Sequence, residues 1–176
     1  MRLRIIIYLA VIFASVPVSC LRVETYSEIP EIHYKNFELS LARDTLLNNL
    51  FYKGVLTFSL IDGDGDIGSY QEGQSYRTDT NYIVEYDYDL YLTRFNKIDG
   101  KYEIDTANSN NTYLPLIVKE GQNKTLFGEI IVELDFYKID YDTIQFEYFI
   151  VDRKENKSNA DITPDLALTE IPDTQK

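Results

Sequence analysis

Three aspartates at alternate positions, Asp62, Asp64 and Asp66, follow an apolar segment in the stretch SLIDGDGDIG. Hard cations such as calcium bind several carboxylate and carbonyl oxygens that a flexible backbone can bring together. Gly63 and Gly65 permit the positive φ angles that would curl three carboxylates around one centre. Aspartate and glycine also favour ordinary tight turns. The spacing therefore indicates either a divalent cation site, with calcium the best match, or an acidic turn.

The stretch begins like the calcium loop of an EF-hand and then departs from it. That loop needs glycine at its sixth position and a bidentate glutamate at its twelfth, where this chain has Ile67 and Gly73. Strand-like patterns flank it instead of helices. Three carboxylates within about 6 Å repel one another by roughly 1 kcal/mol per pair. This repulsion favours a bound cation over a simple turn, in a site that is not an EF-hand.

Alternation of apolar and polar residues beyond residue 30 predicts half-buried strands. In one of them Leu56, Phe58 and Leu60 share a face opposite Val55 and Thr57. No stretch has a convincing amphipathic helical pattern. We predict an all-β fold, an immunoglobulin-like antiparallel β-sandwich of about seven or eight strands, with a closed barrel as the alternative. The predicted strands are A (31–41, with a bulge near Asn36), B (54–61), C (81–95), C′ (101–105), D (113–118), E (126–136), F (142–151) and G (161–169).

A second polar loop, VDRKENKSN at 151–159, carries further oxygen donors, including Asp152 and Asn156. By itself it is typical of an ordinary polar hairpin. In an immunoglobulin-like sandwich, however, the B–C and F–G loops emerge at the same end. We therefore expect Asp152 or Asn156 to complete the aspartate cluster, with the turn at 119–125 at the same end. The expected role of calcium is structural.

The N-terminus is typical of a targeting segment. Arg2 and Arg4 precede an apolar run at 5–14 that is too short to span a bilayer comfortably. The next residues, VPVSC, end in the only cysteine and resemble a bacterial lipobox, although Pro17 stands where an aliphatic residue is usual. An ordinary cleaved signal or an uncleaved anchor is the alternative. We expect a signal peptide at 1–19, a lipidated tether at 20–30 beginning with Cys20, a β-sandwich at 31–171 and a tail at 172–176.

Charge and composition exclude several classes of function. The formal net charge of −12 repels phosphate backbones, so we expect no nucleic-acid partner. The single histidine, His33, is predicted to face solvent, and the thiol of Cys20 is expected to carry a lipid. The chain has no Gly-x-Ser-x-Gly elbow and no phosphate-binding loop. We therefore expect a protein that is not an enzyme.

Aromatic side chains are further candidates for ligand binding, because the chain has 15 Tyr and 9 Phe. The alternation in strand C places Tyr86 and Tyr88 on the core face and Asp89 on the solvent face. Tyr91 and Phe149 are predicted to point outward, where exposed rings can stack on sugar rings. Burial beneath a covering segment is the alternative. The sequence thus indicates glycan binding as an alternative to a purely structural role.

Nearly the whole chain resembles a largely uncharacterised family of lipoproteins from Bacteroidetes-type bacteria. The matching features are Cys20, the IPEI segment at 29–32, the strand leading into DGDGDIG at 56–68, and the D-R-x-x-N-x-S-N hairpin at 152–159. The resemblance implies an envelope lipoprotein with an immunoglobulin-like domain, anchored through the lipid on Cys20, and it implies no reaction. The outer membrane is the expected location, and the membrane face stays open. A glycan or an envelope protein is the expected partner.

Overall fold

The computed structural model describes residues 25–71, 74–75, 85–106, 110–136 and 143–168 of the 176-residue chain. Every regular element in these ranges is a β-strand, and all strand pairs are antiparallel, which confirms the all-β prediction. The strands are β1 (Glu31–Arg43), β2 (Leu50–Asp62), β3 (Tyr70–Gln71), β4 (Gln74–Ser75), β5 (Leu90–Ile98), β6 (Lys101–Ile104), β7 (Leu126–Phe136), β8 (Thr143–Ile150), β9 (Asp161–Ile162) and β10 (Leu166–Ala167).

The expected signal peptide, Cys20 and the C-terminal tail lie outside the described residues, so lipid attachment stays a prediction. Within the described part of the chain, no helix is long and apolar enough to cross a membrane.

Two antiparallel sheets form the body of the fold. One has the order β1-β2-β7, and the other has the order β10-β8-β5-β6, with β9 also paired to β8. The predicted strands A, B and E therefore share one sheet, and C, C′ and F share the other, as in an immunoglobulin-like sandwich. A two-stranded ribbon, β3-β4, lies between β2 and β5 in sequence.

The core lies between these two sheets. Every second residue of β2 from Tyr52 onward is buried, and β8 buries Ile144, Phe146, Tyr148 and Ile150. Rings from opposite sheets meet there, with the centroids of Phe58 and Tyr148 4.9 Å apart. Burying an aliphatic or aromatic side chain of this size contributes about 1.5–3 kcal/mol. The alternation in β2 continues to its last residue, so Asp62 takes an inward-facing position.

Several predicted strand boundaries were wrong. Strand C was expected from residue 81, but β5 begins at Leu90, and residues 85–89 are irregular. No strand spans 113–118, where Pro115 lacks an amide hydrogen and only one residue forms an isolated bridge. Thr112, just before this range, forms an isolated bridge with Leu90. Strand G is divided into the two short strands β9 and β10. The predicted bulge is present, because the β1–β2 register shifts between Tyr34 and Asn36.

Asp89 is buried, whereas its place in the alternation predicted a solvent-facing side chain. Its Oδ2 accepts hydrogen bonds from the Ser69 amide at 3.0 Å, the Ser69 hydroxyl at 2.7 Å and the Leu114 amide at 2.9 Å. Buried amides need acceptors when no strand partner is available. Asp89 therefore holds two irregular segments against the start of β5.

Candidate metal centre

Asp62 ends β2 and is 0% exposed. Its Oδ2 accepts a hydrogen bond of 3.0 Å from the amide of Asp66, which folds the following loop back over the strand end. Its Oδ1 is buried and has no hydrogen-bond partner. Leaving a buried charged acceptor without a partner costs at least about 1–3 kcal/mol. This carboxylate is therefore a position where a ligand would add stability.

Asp64 and Asp66 share this feature with Asp62. The Oδ1 atom of each is buried and has no hydrogen-bond partner. The other carboxylate oxygen of Asp64 accepts a hydrogen bond from Lys154 Nζ. Each of the three loop aspartates thus has one buried oxygen that no donor satisfies.

Asp152 brings a fourth carboxylate from the loop after β8. It is 0% exposed, and its two oxygens accept hydrogen bonds of 2.8 Å each from the backbone amide and the side-chain Nδ2 of Asn156. One oxygen from each of the four carboxylates lies within 4.8 Å of the others. The predicted convergence of the two loops at one end of the fold is therefore present.

Asn156 was predicted to be a metal ligand, but its observed contacts are to Asp152. Both of its donor groups face Asp152, and its backbone oxygen accepts a hydrogen bond of 3.2 Å from the Asp152 amide. The two contacts to its oxygens orient the Asp152 carboxylate, and the backbone contact closes the turn between the two residues. Asn156 thus positions a candidate ligand, which is a role that sequence spacing alone does not reveal.

Arg153 holds the two loops together. Its Nη1 donates hydrogen bonds of 2.9 Å to the carbonyls of both Ile67 and Gly68, and its amide donates to the carbonyl of Asp66 at 3.1 Å. Since all three acceptors belong to the end of the aspartate loop and the chain just after it, Arg153 fixes the path of the loop. The sequence contained the residue but no pattern that indicated this function.

Two further segments pack on the aspartate loop. Thr125 Oγ1 donates to the Gly63 carbonyl at 3.2 Å, which places the end of the 119–125 turn here, as predicted. The Gly63 amide donates to the Ser27 carbonyl at 2.7 Å. A Cβ on Gly63 would collide with the backbone at Ser27, and one on Gly65 would collide with the Lys124 carbonyl. Both glycines therefore permit close approach of neighbouring backbone.

The four carboxylates in the cluster repel one another when they are ionised. Burial, assisted by the charges of Asp64 and Asp66, raises the pKa of Asp62 to about 7. Burial, assisted by the charge of Asp152, raises the pKa of Asp66 to about 6. Even with Arg153 and Lys154 beside the cluster, full ionisation near neutral pH is thus unfavourable without a further positive charge.

The donor set determines what this site could hold. All four side chains offer carboxylate oxygens, which suit hard divalent cations. His33 is exposed and contacts Glu31 at 2.9 Å, so it adds no nitrogen ligand. The cluster could therefore hold a metal ion by oxygen coordination.

The outward aromatic residues form a packed group. The rings of Tyr91 and Phe149 are stacked, with centroids 4.8 Å apart and planes 6° apart. Tyr86 contacts both rings edge-on, and Tyr88 contacts Tyr91 in the same way. Lys157 Nζ lies 3.8 Å from the Phe149 centroid. Tyr86 and Tyr88 therefore pack on this outer group, whereas the alternation had placed them in the core.

Together, the fold and the site define an all-β protein of two packed antiparallel sheets with a four-carboxylate cluster at one end. No protein-family model, curated protein or solved structure matches this chain.

Proposed function

We propose that this protein is a non-catalytic, lipid-anchored protein of the bacterial cell envelope, with a structural calcium ion at one end of its sandwich. Asp62, Asp64, Asp66 and Asp152 would supply the ligands. The observation that carries this proposal is the fully buried Asp62 carboxylate, whose Oδ1 lacks a partner while three other carboxylates converge on it.

Calcium fits this environment better than magnesium. Calcium accepts six to eight oxygens in variable geometry, whereas magnesium demands a near-ideal octahedron and usually retains several waters. Here four carboxylates come from two loops, and the first loop contains glycine at alternate positions. Backbone carbonyls and water would complete the coordination.

A structural role follows from what surrounds the ion site. The aspartate loop contacts the 152–156 hairpin, the 119–125 turn and the backbone of Tyr26 and Ser27. An ion bound by both loops would hold all of these segments at one end of the sandwich. The cluster groups four aspartates from two loops, so an ion held by them would lock the two loops together.

The proposed anchor would place the cation end near the membrane. Ser27 is hydrogen-bonded to Gly63 in the aspartate loop. Cys20 lies only seven residues before Ser27. Even if the chain between them were fully extended, the two residues would be at most about 25 Å apart. A lipid on Cys20 would therefore hold this end of the domain close to the bilayer surface.

Thermal unfolding with and without calcium tests the metal claim. A ligand that binds only the folded state stabilises it by about 2.7 kcal/mol when its free concentration is about a hundredfold above Kd. We expect calcium to raise the melting temperature of the native protein by several degrees over chelated protein. The Asp62→Asn variant should lose this shift, whereas Asp165→Asn, at an exposed carboxylate paired with Lys97, should keep it. A native protein that shows no shift would refute the calcium site.

The stacked pair of Tyr91 and Phe149 favours a second candidate function, glycan binding. Tyr86 and Lys157 already cover part of these rings, so a sugar would have to displace them or stack beside them. A glycan array with native protein and the Tyr91→Ala variant distinguishes the two functions. Glycan binding that disappears in a folded variant would support this candidate, and no binding by the native protein would reject it.

A further inference from the structure

Lys154 lies beside the aspartate cluster and bonds to one of its members. Its Nζ donates a hydrogen bond to Asp64 Oδ2 and lies 3.4 Å from Glu28 Oε2. The partnerless oxygen of Asp64 is the other one, Oδ1, which is buried. The ammonium group and a bound cation would therefore use different oxygens of the same carboxylate.

The positive charges around the cluster are set by two adjacent residues. Lys154 bonds to the Asp64 carboxylate, and Arg153 bonds to the backbone carbonyls of Asp66 and of the residues just after it, so both cations lie beside the cluster. Four ionised aspartates carry four negative charges, and Arg153 and Lys154 return two positive charges. The exposed carboxylate of Glu28, which also contacts Lys154, lies outside the cluster and is not counted. Over these six groups, a divalent ion would bring the sum to zero. A trivalent ion would leave one positive charge, and a monovalent ion would leave one negative charge.

We propose that Lys154 is a specificity-determining residue that matches the charge of this site to a divalent cation. The inference rests on the proposed function. The metal site itself is supported by the buried Oδ1 atom of Asp62, which has no hydrogen-bond partner. Coulomb attraction scales with the charge of the ion. Removing the Lys154 charge should therefore raise the affinity for every cation, and more steeply for a trivalent cation than for calcium.

Calorimetric titration with calcium and with terbium(III) tests this inference on the purified native protein and the Lys154→Gln variant. Because Lys154 is largely exposed, we expect a gain of about tenfold for calcium. The gain for terbium should be about thirtyfold, because the logarithm of the gain scales with ion charge. Lys154→Arg should retain the native preference. Lys97→Gln removes the same charge from a partly buried lysine paired with Asp165, and it should change neither affinity.

The outcomes separate the two proposals. If the native protein binds neither ion, the calcium site and the inference both fail. If the native protein binds calcium but Lys154→Gln changes both affinities by the same factor, or weakens both, only the inference fails. A weakened site in that variant would mean that Lys154 holds the loop in place instead of tuning its charge.

Discussion

The amide of Asp66 donates a hydrogen bond of 3.0 Å to Oδ2 of Asp62, which joins the third aspartate of the loop to the first. This contact leaves Oδ1 of Asp62 buried and without a partner, together with Oδ1 of Asp64 and of Asp66. The loop therefore folds back on itself at this hydrogen bond, while one carboxylate oxygen of each of its three aspartates stays buried without a partner. In a turn without a ligand, three buried carboxylate oxygens without hydrogen-bond partners would only destabilise the fold.

The first prediction concerns the pH dependence of stability without metal. The pKa of Asp62 is about 7 in the folded protein, against an ordinary value of 3.8. Between these values the folded state binds more protons than the unfolded state, so stability falls as pH rises from about 4 to about 7. Urea unfolding of chelated protein at several pH values measures this slope.

The Asp62→Asn variant provides the control for that slope. It keeps an oxygen to accept the Asp66 amide and removes the charge, so it should be more stable than native protein at pH 7.5 in chelator by about 1 kcal/mol or more. Its stability should also vary less between pH 4 and pH 7. Equal slopes in the two proteins would contradict the account of Asp62.

The second prediction concerns the close approach at Gly65. This residue has φ +67°, and a Cβ would collide with the Lys124 carbonyl. Gly65→Ala should therefore destabilise the protein and weaken calcium binding. Gly100→Ala is a matched control, because Gly100 has φ +77° and open space around its Cβ position. It should cost only the backbone strain of about 1–2 kcal/mol.

Chemical denaturation of both alanine variants checks this prediction. The free energy of unfolding should fall further for Gly65→Ala, by about 1 kcal/mol or more beyond the control. Calcium affinity should fall only for Gly65→Ala. Equal losses of stability in the two variants would mean that the collision with Lys124 has no energetic importance.

The sequence predicted those features that depend on regular alternation and on connectivity. Leu56, Phe58 and Leu60 are buried as expected. Strand B was predicted to end at residue 61, and β2 runs one residue further, so the observed alternation ends on the buried Asp62. The sandwich connectivity predicts that Asp152 or Asn156 lies beside the aspartate cluster, and the structure places the Asp152 carboxylate there. Both inferences needed only a period of two and the rule that the loops of neighbouring strands share an end.

Features set by irregular segments could not be predicted in this way. Alternation continues through residues 85–89, so it placed Asp89 in solvent although the strand begins only at Leu90. The Arg153 contacts to backbone carbonyls have no sequence signature, because any carbonyl is an acceptor. A Cβ at Gly63 would collide with the backbone of Ser27. A glycine in the sequence can indicate that another backbone segment comes close, but it does not show which segment that is.

A crystal structure determined from protein grown with calcium tests the central claim most directly. The account predicts an ion bonded to oxygens of Asp62, Asp64, Asp66 and Asp152 at about 2.3–2.6 Å, with Lys154 still contacting the other oxygen of Asp64. The same four side chains without a calcium ion among them, at a calcium concentration well above millimolar, would contradict it.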